Sequence, residues 1–426
     1  MRLLKLTQRK AVKKAKAIKI KKISKKSKPK NQFENNIGNE ILEIKNFKHL
    51  PGKNCQLSSL RKVLINHDLK LSENMLLGLA SGIGFLYWNI KMMPFAFVGG
   101  LNGKDISVFE NVMKRIGGSV KVLKTGSLKT SYEQLKAHLR KGKPLIPFVD
   151  MAYLPYFFPD NAPYPNEEAG HFGGHTIVVY AIDEKKNVVH VSDRFNRPNA
   201  LTIHQFMDAH SSNFPPFAAK NRKLQFTFPE KIPDLAPLIF EAIKENYEVM
   251  MNPPIKNFGL KGMLKFKAMV MNWPKDYKPE NLLFGLISTW IYNQTGGSGG
   301  AMFRNIYSDF LSEASEIIKN GKIKKVEDIY REAAAAWDEV ALCILPDELP
   351  TLKKIREIFY KNNKIQEEAS PDYQKQMRDL DEDWKKNKSS AIEEVKNYGD
   401  YVPALQDAIQ KAHDLEEKAW KILGEL

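Results

Sequence analysis

The chain has 426 residues, 43% of them hydrophobic and 27% charged, which allows two domains and a sizeable core. Two cysteines exclude a disulfide framework and fit a reducing, cytoplasmic setting, and no apolar run approaches the ~20 residues of a membrane helix. The formal net charge of +17 is unevenly held: residues 1–30 contain fourteen Lys and Arg and no Asp or Glu, leaving 52 basic against 49 acidic residues elsewhere.

The chain opens with that basic arm, closing on Lys21-Lys22-Ile23-Ser24-Lys25-Lys26-Ser27-Lys28-Pro29-Lys30. A block of like charge without an apolar core or small-residue cleavage site reads as a disordered, solvated arm over residues 1–40, not a secretory signal. Its charge would attract an acidic carrier protein, an anionic membrane or nucleic acid. Leu4, Ala11, Ala15 and Ile18 could line one face of a surface helix, which leaves a location peripheral to a membrane open. No aromatic residues are interleaved to stack bases, which argues against specific nucleic-acid binding.

Residues 41–230 read as a mixed helix-and-strand domain. Helices are expected over Cys55–His67, Ser72–Leu79 with Ser72 as cap, Val108–Ile116 and Ser131–Lys141. The glycine-punctuated run Ala80–Trp88 predicts a tight turn into a strand, and Lys143–Asp150 another strand. Met151–Gly173 is long, irregular and rich in Pro, Tyr and Phe, and suits either a substrate-covering loop or an aromatic-anchored surface loop. A strand over Thr176–Ile182 turns through Asp183–Asn187 into Val188–Val191, and Lys223–Phe228 closes the domain. From Pro233 only helical patterns follow, over Leu235–Met250, Phe303–Lys319, Val326–Leu342, Leu352–Asn362 and Ala404–Leu423, with no fixed-period repeat. Residues 231–426 are therefore expected to form an all-α domain, and the fold class is α+β.

Chemistry concentrates on a few residues. Cys55 sits where the polar loop Pro51-Gly52-Lys53-Asn54 enters a helix; unpaired N–H groups and the helix dipole there favour the thiolate. Cys343, inside Ala341-Leu342-Cys343-Ile344-Leu345, reads as core. Of nine histidines, His175 begins a buried strand after Gly173-Gly174, which suits a general base, and His171 in the same loop is a possible substrate contact. Asp193, after the next strand, could orient the imidazole, or could cap a turn beside Arg194. Cysteine on an early helix, histidine opening a later strand and a carboxylate after the next strand is the chain order of papain-like thiol enzymes. Oxyanion donors would be the Cys55 N–H with Asn54 or Gln56; His49 holds the position where such peptidases usually carry a glutamine. His171, His175 and Asp193 lack a fourth ligand, a CxxC or an HExxH, so no metal is expected. The loop Thr295–Gly300 has no Gly-Lys-Ser/Thr and is not a P-loop. Gly297, Gly299 and Arg304 could cradle an anion, or the glycines could let two helices pack closely.

Two separate stretches carry a family resemblance. The first runs from Cys55 through Ser58-Ser59-Leu60, Leu71-Ser72-Glu73, Leu77-Gly78-Leu79 and Ser81-Gly82-Ile83-Gly84-Phe85 to Tyr87, with Gly174-His175, Asp183 and Asp193 downstream. The second is Thr295-Gly296-Gly297-Ser298-Gly299-Gly300-Ala301-Met302-Phe303-Arg304 and its helix, with Asn257–Gly262 and Trp273-Pro274. Over roughly residues 48–345 the chain resembles the butirosin biosynthesis protein H family. The resemblance implies a papain-like domain followed by a helical one, and acyl transfer in place of proteolysis: an aminoacyl group passes from a carrier-protein thioester to an aminoglycoside amine. On that reading Cys55 accepts the acyl group, His175 shuttles the proton and Asp193 orients His175. Glu73 joins His171, Gly297, Gly299 and Arg304 as candidate substrate contacts. The partners would be an acidic acyl carrier protein and a small amine acceptor, and no cofactor is needed beyond the phosphopantetheine arm of the donor. Asn54 stands where the family often has histidine. A papain-like peptidase or amidase, and a catalytically silent binding protein, are the competing readings.

Overall fold

The structure, a computed structural model, describes residues 37–90, 93–103, 106–157, 171–215, 217–368 and 370–426. The basic arm and positions 158–170 of the aromatic loop lie outside the described residues.

Strand β1 (Ile41–Glu43) leads into α1 (Cys55–Ile65) and α2 (Glu73–Leu79). Both helices begin on polar caps: Asn54 accepts from the N–H groups of Gln56 and Leu57, and Ser72 from that of Met75, satisfying donors that a helix start leaves open. A hairpin follows, β2 (Ile83–Trp88) with β3 (Phe97–Leu101), then α3 (Ser107–Arg115), β4 (Ser119–Leu123) and α4 (Leu128–Leu139). Helix α4 starts earlier than expected because Ser127, not a later residue, accepts the first-turn N–H. Next come β5 (Ile146–Val149), β6 (His175–Thr176), β7 (Val178–Asp183), β8 (Val188–Ser192), β9 (Pro198–Thr202), α5 (Ile203–Ser211) and β10 (Lys223–Thr227).

Two antiparallel sheets form, ordered β1-β7-β8-β9 and β4-β10-β5-β6. Residues 175–183 serve both: His175 pairs with Val149 of β5, while Val178 onward pairs with β8 and β1. Every residue of β7 is buried, which accounts for its unbroken apolar run. Between this sheet and α4 and α5 lies a small core of Leu135, Ile177, Val189 and Phe206.

After Leu235 the described residues contain helices and no strands: α6 (Leu235–Met251), α7 (Gly259–Val270), α8 (Trp273–Asp276), α9 (Pro279–Gln294), α10 (Arg304–Ile318), α11 (Gly321–Ile344), α12 (Pro350–Glu368), α13 (Tyr373–Glu394) and α14 (Val402–Leu423). The molecule is thus α+β with a helical second half. No described helix is long and apolar enough to cross a membrane.

The larger core does not stop at residue 231. Leu57, Leu60 and Leu76 from α1 and α2 belong to one cluster with Phe266, Phe310 and Trp337. Phe85 of β2 stacks on Trp337 with ring centroids 5.6 Å apart. Gly78 of α2 lies so close to α10 that a Cβ there would meet the Phe310 ring at 2.1–2.5 Å. Hairpin β2–β3 packs against α7 and α9.

Candidate active site

The loop before α1 is held on both sides. Glu73, on α2, accepts the N–H groups of Lys53 and Asn54 at 2.7–3.0 Å, and Gly52 N–H donates to the Arg194 carbonyl at 2.8 Å. The helix start is thereby tied to the segment after β8, and Cys55 faces the residues that follow that strand. Helix α1 packs against β6, which delivers His175.

His175 Nε2 is 2.7 Å from Asp193 Oδ2. The other ring nitrogen, Nδ1, is left for Cys55, with which the imidazole shares a hydrogen bond. Asp193 is saturated: Oδ2 also accepts the Tyr156 hydroxyl at 3.0 Å, and Oδ1 the Arg194 N–H at 2.7 Å. His175 and Asp193 are only 3% and 1% exposed, whereas Cys55 is half-buried.

Burial opposes ionisation of Cys55, yet the charge of His175, its hydrogen bond and the Thr176 N–H outweigh it, and the thiol falls below its ordinary value despite Asp193. Burial lowers His175 too, but Asp193 first and Cys55 second raise it to about 10. Asp193 resists burial through the same partner and sits low. The arrangement stabilises a thiolate–imidazolium pair backed by a carboxylate.

Three further residues touch this triad that sequence reasoning missed. Lys62, wholly buried on α1, donates to Ser58 Oγ at 2.6 Å and to the Asp193 carbonyl at 2.5 Å. Burial lowers it to about 8, with Asp193 opposing. On the helix it shares a face with Ser58 and Ser59 and not with the apolar Leu60 and Leu64, so no apolar stripe marked it in the sequence. Tyr156 comes from the aromatic loop, where nothing in the sequence distinguished it from its neighbours. Phe157 beside it meets the His175 ring edge-on, centroids 5.4 Å apart.

Several expected site residues occupy other positions. Asn54 is buried as the α1 cap, and its Nδ2 donates to the Gly297 carbonyl at 3.0 Å, so both ends of the amide serve the fold. Gln56 lies half-buried in the first turn of α1. Glu73 holds backbone N–H groups, as described. His171 pairs with a different carboxylate, Asp150, at 2.8 Å and stacks on Phe214 with centroids 3.5 Å apart. Asp150 also takes the Phe172 N–H and the Ser212 hydroxyl, which anchors the end of the aromatic loop. His171, His175 and Asp193 therefore do not converge, and no group of three or more His, Cys, Asp or Glu among the described residues is placed to hold a metal.

The glycine loop packs on the start of α1. A Cβ on Gly297, at φ +84°, would meet Asn54 Nδ2 at 3.4 Å, and one on Gly299 would meet Lys53 Cβ at 3.4 Å. Arg304 forms no cradle: fully buried, it pairs with both Glu416 oxygens at 2.8 Å and donates to the Met302 carbonyl at 2.7 Å. That correction has a simple cause, since a buried guanidinium must be paired. Helix α12 also reaches the site loops: Lys53 pairs with Glu367 at 3.3 Å, and Arg194 donates to Asn363 at 3.2 Å.

Cys55, His175 and Asp193 thus lie in one hydrogen-bonded chain on an α+β scaffold. Residues 54–194 match the family model for the N-terminal domain of butirosin biosynthesis protein H, and residues 204–359 match a domain of unknown function, DUF4872. Residues 54–194 are thus similar to that N-terminal domain, and the second matched domain follows it. The matched segment begins one residue before Cys55 and ends one after Asp193, so the triad spans all of it. No curated protein matches the chain.

Proposed function

We propose that the protein is a thiol-dependent acyltransferase that moves an acyl or aminoacyl group from a carrier-protein thioester to an amine through a cysteinyl thioester, in secondary-metabolite biosynthesis. The observation that carries this reading is the direction of the relay: His175 gives Nε2 to Asp193, and Nδ1 stays available to Cys55. The same arrangement, with a helix-start cysteine packed on the strand that His175 opens, supports a papain-like core.

The Cys55 thiolate attacks the acyl carbonyl, and the electron pair moves to oxygen beside the Cys55 N–H. Collapse expels the donor thiolate, which takes the proton from His175 Nδ1. An amine then attacks the cysteinyl thioester, His175 accepts its proton, and the Cys55 thiolate leaves. The phosphopantetheine arm belongs to the donor, and no cofactor enters the steps. Phe157, Tyr156 and Phe195 wall the buried side of the triad, which favours aminolysis by keeping bulk water from the imidazole.

Incubation with acyl-carrier thioesters, followed by intact mass spectrometry, tests this. A mass increase on Cys55 that is discharged by added amine is expected. Discharge at one rate with and without amine would make the protein a hydrolase, and no adduct would leave a binding protein.

A further inference from the structure

Asp193 lies one residue beyond the end of β8, where the ladders to β7 and β9 both stop at Ser192. The sheet therefore does not fix its main chain. Yet a carboxylate that orients an imidazole must be held to within about 0.5 Å. One face of α1 supplies the hold.

Cys55, Ser59 and Lys62 are spaced i, i+4, i+7 along α1 and so share that face. Ser59 Oγ donates to the carbonyl of Thr176, the neighbour of His175, at 3.2 Å. Lys62 Nζ donates to the Asp193 carbonyl at 2.5 Å and is steered by Ser58 Oγ at 2.6 Å. The helix that begins at the thiol thus grips the main chain beside His175 and that of Asp193. Lys62 is wholly buried, and both of these acceptors are uncharged oxygens, an unfavourable setting for an ammonium. An apolar side chain would fill the same space more stably. It could not donate to Asp193.

We propose that Lys62 is a positioning residue for the triad: from the face of α1 that carries Cys55 it fixes the main chain of Asp193, and so keeps the carboxylate on His175. The proposal rests on the Cys55–His175–Asp193 reading of the site. Lys62 bonds to Ser58 and to the Asp193 main chain, so it acts through Asp193 and not on the acyl group.

Lys62→Met keeps the stem and removes the donor. The readout is the His175 proton, followed by NMR of histidine labelled with 13C at the imidazole and assigned by its loss in His175→Ala. Asp193 is what holds that proton to about 10 in the wild-type protein, and the titration needs no acyl group. In Lys62→Met it should move down by about one pH unit, a tenfold loss of imidazolium above it, and acetylation of Cys55 by S-acetyl-N-acetylcysteamine should slow. Loss of a nearby positive charge alone would move His175 up. An upward or absent shift therefore overturns the proposal. His210 reports on the fold, because burial between Ser131 and the Phe148 carbonyl lowers it to about 3. If it also moves toward its ordinary value, or the variant does not fold, Lys62→Gln decides by the same shift, since it is an atom shorter and still able to donate to Ser58. General loosening in both variants would make Lys62 a core residue and end the proposal. A wild-type protein that takes no acetyl group sinks the acyl-transfer reading alone, and the His175 shift still decides Lys62.

Discussion

Cys55 and Cys343 differ by what surrounds each sulfur. Cys343 is raised by burial and then by the charge of Glu339, while Cys55 has a cation beside it. Cys55→Ala should abolish acyl loading and Cys343→Ala should leave it nearly intact, as read by adduct mass. His175→Ala should slow transfer by about two to four orders of magnitude. The pH dependence has a definite sign. A lowered thiol keeps its thiolate to lower pH, so the rise of Cys55 alkylation with pH should lie below the ordinary thiol value of 9.0. Transfer should fall again as His175 loses its proton near 10. In His175→Ala burial and Asp193 act without the cation, so the alkylation limb should move above 9.0. A limb that stays in place would mean that the helix start, not the imidazole, activates the thiol.

Among the elements, α1 and β6 hold Cys55 and His175, but α2 and α10 determine where α1 sits. Glu73 of α2 holds the loop before Cys55, and α2 is pressed on α10 at Gly78, where no side chain fits. Gly78→Ala should therefore cost about 1–3 kcal/mol through overpacking, lowering the melting temperature. Loss of stability with full alkylation of Cys55 is expected at temperatures where the variant stays folded. Unchanged melting would show that the two helices separate freely. The strands and helices of strong period were legible in the sequence because burial on one face imposes a pattern. Short edge strands such as β1, β4 and β9 were not, since three to five residues with exposed positions show little periodicity.

At the scale of the whole molecule, the two halves share one core. A fragment of residues 37–230 leaves Leu57, Leu76 and Phe85 without Phe266, Phe310 and Trp337. It should therefore lack a cooperative melting transition, and a sharp one at the full-length temperature would contradict the shared core. The basic arm is a separate matter of charge. Deleting residues 1–30 should leave melting unchanged and slow encounter with an acidic carrier in a salt-dependent way, because the Debye length is ~8 Å at physiological ionic strength. Equal second-order rate constants across a salt series would show that the arm does not recruit the carrier.

Some of this was determined by the sequence alone. A polar loop entering a helix at Cys55, and glycines preceding a buried strand at His175, are local patterns read within a few residues, because capping and burial act over that distance. The commitments of the other charged and polar groups were decided only by tertiary structure. Arg304 reads as an anion ligand beside a glycine loop until Glu416, 112 residues away, takes its guanidinium. Asn54 reads as an oxyanion donor until Gly297 takes its amide. A polar side chain does what its nearest partner allows, and in the interior that partner is set by packing between distant segments.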